Sequence, residues 1–449
     1  MAALVGLAKL ALPISASRVG QTAMLAVDSM MVGHYGTDAL AGFAFGSSVV
    51  QTMQIIGLGL LMGGMVEISA AVGRGRLDEA GAIWRRSLVY ALAIGLVGVL
   101  LATKAPDLLL ATGLSAELAE RAGRIAMILA ASLPAMLVYI ASVMLLEGLG
   151  RPAAAVWIMA GANLVNLALD AVLVFGFAGI PALGAEGAAL GTLAVRIGVA
   201  LAAVGFILWR LPERTALGRP ALSDHAWAAG RRQRRMGVAE GLSMGIESGA
   251  FATMTLFAGW AGARELAAYT IAINVNMLLF MIAVGVGGAT TVRVAQARGR
   301  DDPAGMVGAA WMGFAVFGAV ALAVALALAA QPGGVLALYT NDPALAALAV
   351  PMIVLIGPVH LVDGMQRLIS NVLRGYGETW LPTASHLLCY VAVMVPAGHW
   401  LCIGAGLGAY GLVLAIGAAS LLATGLLFTR FLWLSRRPSG GRAAPPLEA

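Results

Sequence analysis

The sequence predicts an all-α polytopic membrane protein, with twelve transmembrane helices in two pseudo-symmetric six-helix lobes related as a parallel repeat. Three observations lead there. Of the 449 residues, 60% are hydrophobic and 11% charged, with a mean hydropathy of +0.90; a soluble protein carries roughly a quarter charged residues. The apolar residues fall in runs of the ~20 that a helix needs to cross a ~30 Å hydrocarbon core. Motifs also recur at one constant offset along the chain.

The first run, 5–33, is too long for a signal-peptide core and lacks a basic head, so it reads as a span. Pro13 inside it removes a helix hydrogen bond and marks a bend. Runs near 39–72, 85–103, 122–147, 153–176 and 185–210 complete an N-lobe over 1–211. Pro212–Arg235 is the longest hydrophilic stretch and reads as a cytoplasmic linker, 212–236. Runs near 237–261, 265–296, 307–330, 346–373, 380–402 and 406–434 form a C-lobe over 237–434. The Pro/Gly-rich tail, 435–449, has a disordered composition.

Loop charge orients these spans. With both termini inside, twenty Lys/Arg fall in inner segments and four (Lys104, Arg121, Arg124, Arg264) in outer ones. That bias predicts N-in, C-in topology in a bacterial-type cytoplasmic membrane. The net charge of +6 is spread over those short loops, so no nucleic-acid partner is implied. A monomer is expected.

The repeat shows in matched motifs. Gly63-Gly64 with Arg74-Gly75-Arg76 returns as Gly287-Gly288 with Arg298-Gly299-Arg300, and LGAEG (183–187) as LGAYG (407–411), both at an offset of 224. Pro134 and Pro358 keep that offset, and EGLGR (147–151) matches RGYGE (374–378) after a short slip. An even span count per half gives a parallel repeat, an architecture of transporters.

Enzyme chemistry finds no support. There is no HExxH, no Cys/His cluster and no phosphate loop. GLSMG (241–245) fits GxSxG only formally, because it lies inside an apolar helix. Cys389 and Cys402, thirteen apart on a helix, have no disulfide or metal spacing. No cofactor is implied, and without an ATP-binding domain any energy must come from a gradient of Na⁺ or H⁺.

Ionisable residues inside spans point to function, because burying a charge at mid-bilayer costs at least ~2.5–3.5 kcal/mol. Asp28 shares a helical face with Gln21. Asn166 and Asp170, four apart, stack on one face. With Thr192 they offer hard oxygens for a cation such as Na⁺ or for a shared proton. In the second half Asp363 and Arg367 are spaced for an internal ion pair, whereas Glu247 has no basic neighbour at helical spacing. His360 and His386 read as packing hydrogen-bonders. Glu67 and Glu240, near span ends, are expected to reach headgroups or loop arginines. Gln21, Met24, Met277, Phe280 and Met281 are candidate cleft-lining contacts.

Several segments are similar to the multidrug and toxic compound extrusion (MATE) transporters, NorM-like branch. They are LPISASRVGQTAMLAVDSMMVGHYGTDALAG (12–42), GLGRP (148–152), NLVNLALDAVLVFG (163–176), LGAEGAALGT (183–192), AEGLSMGIESG (239–249), TVRVAQARGR (291–300) and VDGMQRLISNVLRGYGET (362–379). The resemblance implies a V-shaped central cleft and export of small, cationic, amphipathic organic compounds against inward Na⁺ or H⁺. Asp28 matches the family's first-helix acid, Asn166 and Asp170 its N-lobe cation pair, and Glu247 and Asp363 its C-lobe acidic pair; Thr192 is a weaker match. The alternative in transport is a flippase for a lipid-linked precursor. Outside transport stand an intramembrane enzyme and a structural scaffold.

Overall fold

The computed structural model describes residues 2–177, 179, 181–221, 224, 227–340 and 342–436; nothing is said of the side chains of 2–5. The tail expected to be disordered lies, from residue 437, outside the described residues. The helices are α1 (Ala2–Tyr35), α2 (Thr37–Gly73), α3 (Leu77–Ala102), α4 (Ala105–Ala111), α5 (Ala116–Ala131), α6 (Leu133–Gly148), α7 (Ala153–Phe175) and α8 (Gly184–Gly205). They continue as α9 (Arg231–Ala261), α10 (Ala263–Gly299), α11 (Pro303–Ala330), α12 (Pro332–Leu336), α13 (Pro343–Tyr376), α14 (Leu381–His386), α15 (Val395–His399) and α16 (Gly408–Ser435). π-helical turns at Leu387–Met394 and Trp400–Gly404 weld α14 and α15 into one continuous span, Leu381–Gly404.

Local chemistry sets several ends. Ser115 caps α5 by accepting from the Leu118 N–H, Asp302 caps α11 through Gly305 N–H, and Asp342 caps α13 through Ala344 N–H. Each satisfies a backbone donor that a helix start leaves free. Proline also opens α11, α12 and α13, where its missing N–H is harmless. The run 122–147, expected as one span, is broken at Ser132 into α5 and α6, bent by 42°. Pro134 stands in the first turn of α6, where it has no N–H to continue the ladder from α5. By contrast α1 runs through Pro13, and α13 through Pro351 and Pro358.

Among the described residues nine helical spans are long and apolar enough to cross a membrane, ten when α5 and α6 count together. The helices α1 and α9 have the length, 34 and 31 residues, but are diluted by Arg18, Gln21 and Asp28 and by the arginines of 231–235 with Glu240 and Glu247. Twelve crossings remain the expectation from sequence.

The chain forms two compact units, Leu12–Gly245 and Ile246–Ala449 with Met1–Ala11. Their element order repeats: α2 and α10 are both 37 residues long, and short α4 and α12 follow α3 and α11 in turn. In the N-terminal unit one apolar cluster gathers Val32, Phe43, Ile125 and Leu133, and another Ile68, Trp84, Leu145 and Ile207. The C-terminal unit packs around Met254, Tyr269, Met352, Ile356, Tyr390 and Leu412.

Two features of the N-terminal unit departed from expectation. The linker docks on α3: Arg85 Nε donates to Asp224 Oδ2 at 2.7 Å and Nη1 to Leu217 O at 3.1 Å, while Arg86 Nε donates to Asp224 O at 2.7 Å and Nη1 to Ala229 O at 3.1 Å. And α9 starts at Arg231, six residues ahead of the expected span, with close packing of α2 on its first turns. A Cβ at Gly59 would lie 2.8 Å from Gly241 Cα. That closeness buries Glu240 completely, so it does not reach headgroups as expected. Glu67 reaches an arginine in the first turn of α9 instead of a loop one: Arg232 Nε donates to it at 3.1 Å.

Candidate functional site

Three helices bring the N-terminal acids together. Along α7 the buried positions Ala155, Met159, Ala162, Asn166, Asp170 and Val174 recur every three to four residues, a single stripe facing inward. Asn163 ties this helix to α1 by donating to Gly20 O at 3.1 Å. Asp28 of α1 thereby meets the stripe. Asn166 Nδ2 donates to Asp28 Oδ1 at 3.0 Å and to Asp170 Oδ2 at 2.8 Å, and Thr192 Oγ1 of α8 donates to Asp28 Oδ2 at 2.7 Å. All four residues are buried. The register of Thr192 is therefore right for the cluster. Gly191 makes room for it, since a Cβ there would stand 2.7 Å from Asp170 Oδ1.

Two oxygens of this cluster, Asn166 Oδ1 and Asp170 Oδ1, are buried without a hydrogen-bond partner. Buried acceptors are nearly always satisfied, so such a pair calls for a cation, a proton or water. Carboxylate, amide and hydroxyl oxygens suit a hard cation. No group of three or more His, Cys, Asp or Glu with metal-holding geometry occurs among the described residues.

The cluster borders a cavity of about 120 Å³ lined by Gln21, Met24, Asp28, Gln51, Gln54, Thr192 and Arg196, among others. A smaller one of about 30 Å³ shares Gln21, Met24, Gln54 and Arg196 and adds Met136 and Met159. Gln21 and Asp28 thus face one space, as their spacing requires, and Met24 joins them.

Deeper in the same unit lies an ion pair that the spacing of charges did not reveal. Arg18 Nη2 donates to Glu147 Oε1 at 3.4 Å, with both side chains largely buried. The two are 129 residues apart, and Glu147 reads in sequence as part of a loop motif. The signal in the sequence that could have found the pair is Arg18, a charge within the first apolar run.

In the C-terminal unit Asp363 accepts from Ser420 Oγ at 2.8 Å and from Tyr390 O–H at 3.3 Å. Gln366 Nε2 donates to Tyr390 Oη at 2.7 Å, and the Nε2 of His386 lies 3.0 Å from Gln366 Oε1. Tyr390 sits in the π-helical turn Leu387–Met394, a local widening that re-aims side chains. Glu247, expected to lack a basic neighbour, is paired: Arg367 Nη1 donates to Glu247 Oε2 at 3.1 Å. The partner lies on another helix, out of reach of any rule of local spacing. Phe280 stacks near that guanidinium at 6.0 Å, while Met277 is half exposed and Met281 partly buried on α10. His386 is a hydrogen-bonder as expected; both ring nitrogens of buried His360 find no partner, and its ring packs on Phe317. Cys389 and Cys402 are free thiols.

A buried acidic cluster at the edge of a polar cavity, inside a bundle of membrane-length helices, fits a multi-pass membrane transporter. The MatE family matches residues 13–172 and 241–398. A protein named "Probable multidrug resistance protein NorM" from Caulobacter vibrioides is 39% identical over 97% of this chain and 93% of its own length. A protein of the same name from Xanthomonas campestris is 32% identical over 97% and 95%. Among solved structures, the eukaryotic MATE transporter AtDTX14 superposes with a TM-score of 0.88 at 18% identity, covering 97% of both chains. An outward-facing multidrug resistance MATE family transporter gives 0.86 at 19% identity, again over 97% of both. The chain belongs to the multidrug and toxic compound extrusion family and is a transporter, not an enzyme.

Proposed function

We propose that this transporter is a cation-coupled antiporter that exports amphipathic, cationic organic compounds in exchange for Na⁺ or H⁺. The carrying observation is the pair of partnerless oxygens at Asn166 and Asp170, in a cluster with the Asp28 carboxylate. Either a proton or a sodium ion would give those oxygens a partner. Asp28, Asn166, Asp170 and Thr192 form the coupling site in this reading, and its border with the polar cavity links ion to solute. An ion arriving at Asp28 alters the cavity wall, and export follows if the ion and the solute favour different states of the protein. Glu247 and Asp363 form a second polar centre that assists solute or proton binding. The C-terminal lobe boundaries, both termini on the cytoplasmic side of the inner membrane, alternating access and a monomeric state belong to the same reading.

The test is efflux of a fluorescent organic cation from proteoliposomes with Na⁺ and pH gradients imposed separately. At least one gradient drives efflux by the wild type, and Asp28→Asn and Asp170→Asn lose it. Full gradient-driven efflux by both variants would overturn the coupling site. Failure of either gradient to move any organic cation through the wild type would bring forward the flippase for a lipid-linked precursor.

A further inference from the structure

We propose that Trp227 and Arg234 form a binding site for an anionic phospholipid, in the leaflet on the side of the 212–236 linker. The site lies within the N-terminal unit and is separate from the Asp28 cluster.

The linker descends along α3 in register. Arg85 donates to Leu217 O and Asp224, Arg86 to Ala229 O, and Tyr90 Oη accepts from Arg234 Nη1 at 2.8 Å. The five residues from Arg85 to Tyr90 cover about 7.5 Å of helix axis. The apolar run of this span starts at 85, so Arg234 and the Trp227 it holds sit at headgroup level. Just beyond, Val89, Leu92, Leu96, Val97 and Leu100 of α3 are exposed. A contiguous apolar stripe of this kind is a face for acyl chains.

Trp227 is fixed in place. Arg234 Cζ lies 3.4 Å from its ring centroid, and Arg234 Nη2 donates to Trp227 O at 2.7 Å. The cation–π stack orients the indole, yet the residue is 75% exposed. Among the described residues its Nε1–H donates to nothing. Such an indole is costly in water and favourable at the interface, its apolar body toward the chains and its N–H toward a headgroup. Of the five N–H donors of a guanidinium, Arg234 spends two on Tyr90 and Trp227. The others are available to phosphate oxygens.

Charge chooses the lipid. Two guanidinium side chains converge at Gly230, where a Cβ would lie 2.6 Å from Arg234 Nη1 and 2.9 Å from Arg86 Cδ. The carboxylate at hand, Asp224, already pairs with Arg85 at 2.7 Å. The surplus is positive, so phosphatidylglycerol fits better than zwitterionic phosphatidylcholine.

The experiment offers each lipid to the full-length protein, delipidated in detergent, and reads lipid retained by native mass spectrometry. The wild type holds phosphatidylglycerol more tightly than phosphatidylcholine. Arg234→Gln and Trp227→Ala each weaken the first by about tenfold, the worth of a charge-assisted hydrogen bond, and leave the second unchanged. Arg234→Lys, with the charge but not the fork, loses less. Lys104→Gln, at an exposed position in an outer loop, changes neither. Trp227→Ala removes an exposed ring, so it decides the matter if Arg234→Gln fails to fold. Equal retention of the two lipids by the wild type overturns the proposal, as does wild-type retention of phosphatidylglycerol by either folded variant. So does an equal loss in Lys104→Gln. Displacement of phosphatidylglycerol by millimolar inorganic phosphate would assign the arginines to a soluble anion instead.

Discussion

The Asp28 cluster of the N-terminal unit and the Glu247–Asp363 centre of the C-terminal unit hold buried acids in opposite ways. In the N-terminal unit Asp28 and Asp170 share a bridging amide, and two oxygens of the cluster have no partner. In the C-terminal unit Glu247 is matched by Arg367, and Asp363 accepts from two hydroxyls. A helical scaffold repeated in the same order thus carries chemistry that is not repeated. A set with spare oxygens can take up a cation and release it. A buried pair already balanced by arginine resists change, since breaking it strands a charge. The coupling reading therefore leans on the N-terminal unit and gives the C-terminal one a supporting part.

That contrast can be broken experimentally. The largest effect is expected for Asp170→Asn and Asp28→Asn, which should bring gradient-driven efflux down to the protein-free background while the unfolding temperature in detergent hardly moves. Glu247→Gln should do the reverse. It removes the charge to which Arg367 Nη1 donates at 3.1 Å, visible as a fall in unfolding temperature. The double change Glu247→Leu with Arg367→Met should recover most of it. If Glu247→Gln is as stable as the wild type and Asp170→Asn is unfolded, the contrast is the wrong way round.

Gly191→Ala tests the fit of the N-terminal cluster. The added methyl meets Asp170 Oδ1, and overpacking of this kind costs about 1–3 kcal/mol; efflux should suffer more than folding. Tyr390→Phe removes one donor to Asp363 and the acceptor of Gln366, worth about 1–3 kcal/mol when a buried partner is stranded. The smallest effect belongs to Glu67→Gln, which loosens a pair whose Arg232 side is exposed by about 0.2–1 kcal/mol, within the scatter of a melting curve.

Much of this was legible beforehand, and the divide follows physical range. Helix periodicity placed Asn166 above Asp170 and Gln21 on the side of Asp28, because neighbours on a helix face are fixed by 3.6 residues per turn. Apolar runs located the spans, since lipid tolerates little else. The contacts that escaped are tertiary. Arg367 finds Glu247 across 120 residues, and Arg18 finds Glu147 across 129. The packing that buries Glu240 depends on glycines from two helices at once, so its charge looked terminal when read along one. Tyr390 owes its aim to a π-helical turn, which composition does not announce. Pro134 did stand at the break between α5 and α6, but Pro13, Pro351 and Pro358 lie inside unbroken helices; a proline alone does not decide where a helix ends.

The strap that Arg85 and Arg86 hold against α3 has a practical bearing. Its backbone carbonyls at Leu217, Asp224 and Ala229 are the acceptors of two guanidiniums, so its conformation matters and not just its length. Arg214, followed by Thr215, would offer trypsin a cleavable bond in a loose tether, but a held strap must first peel away. Limited proteolysis should leave this polar segment intact until Arg85 and Arg86 are replaced. An affinity tag or reporter domain spliced there would cost the N-terminal unit one of its fastenings.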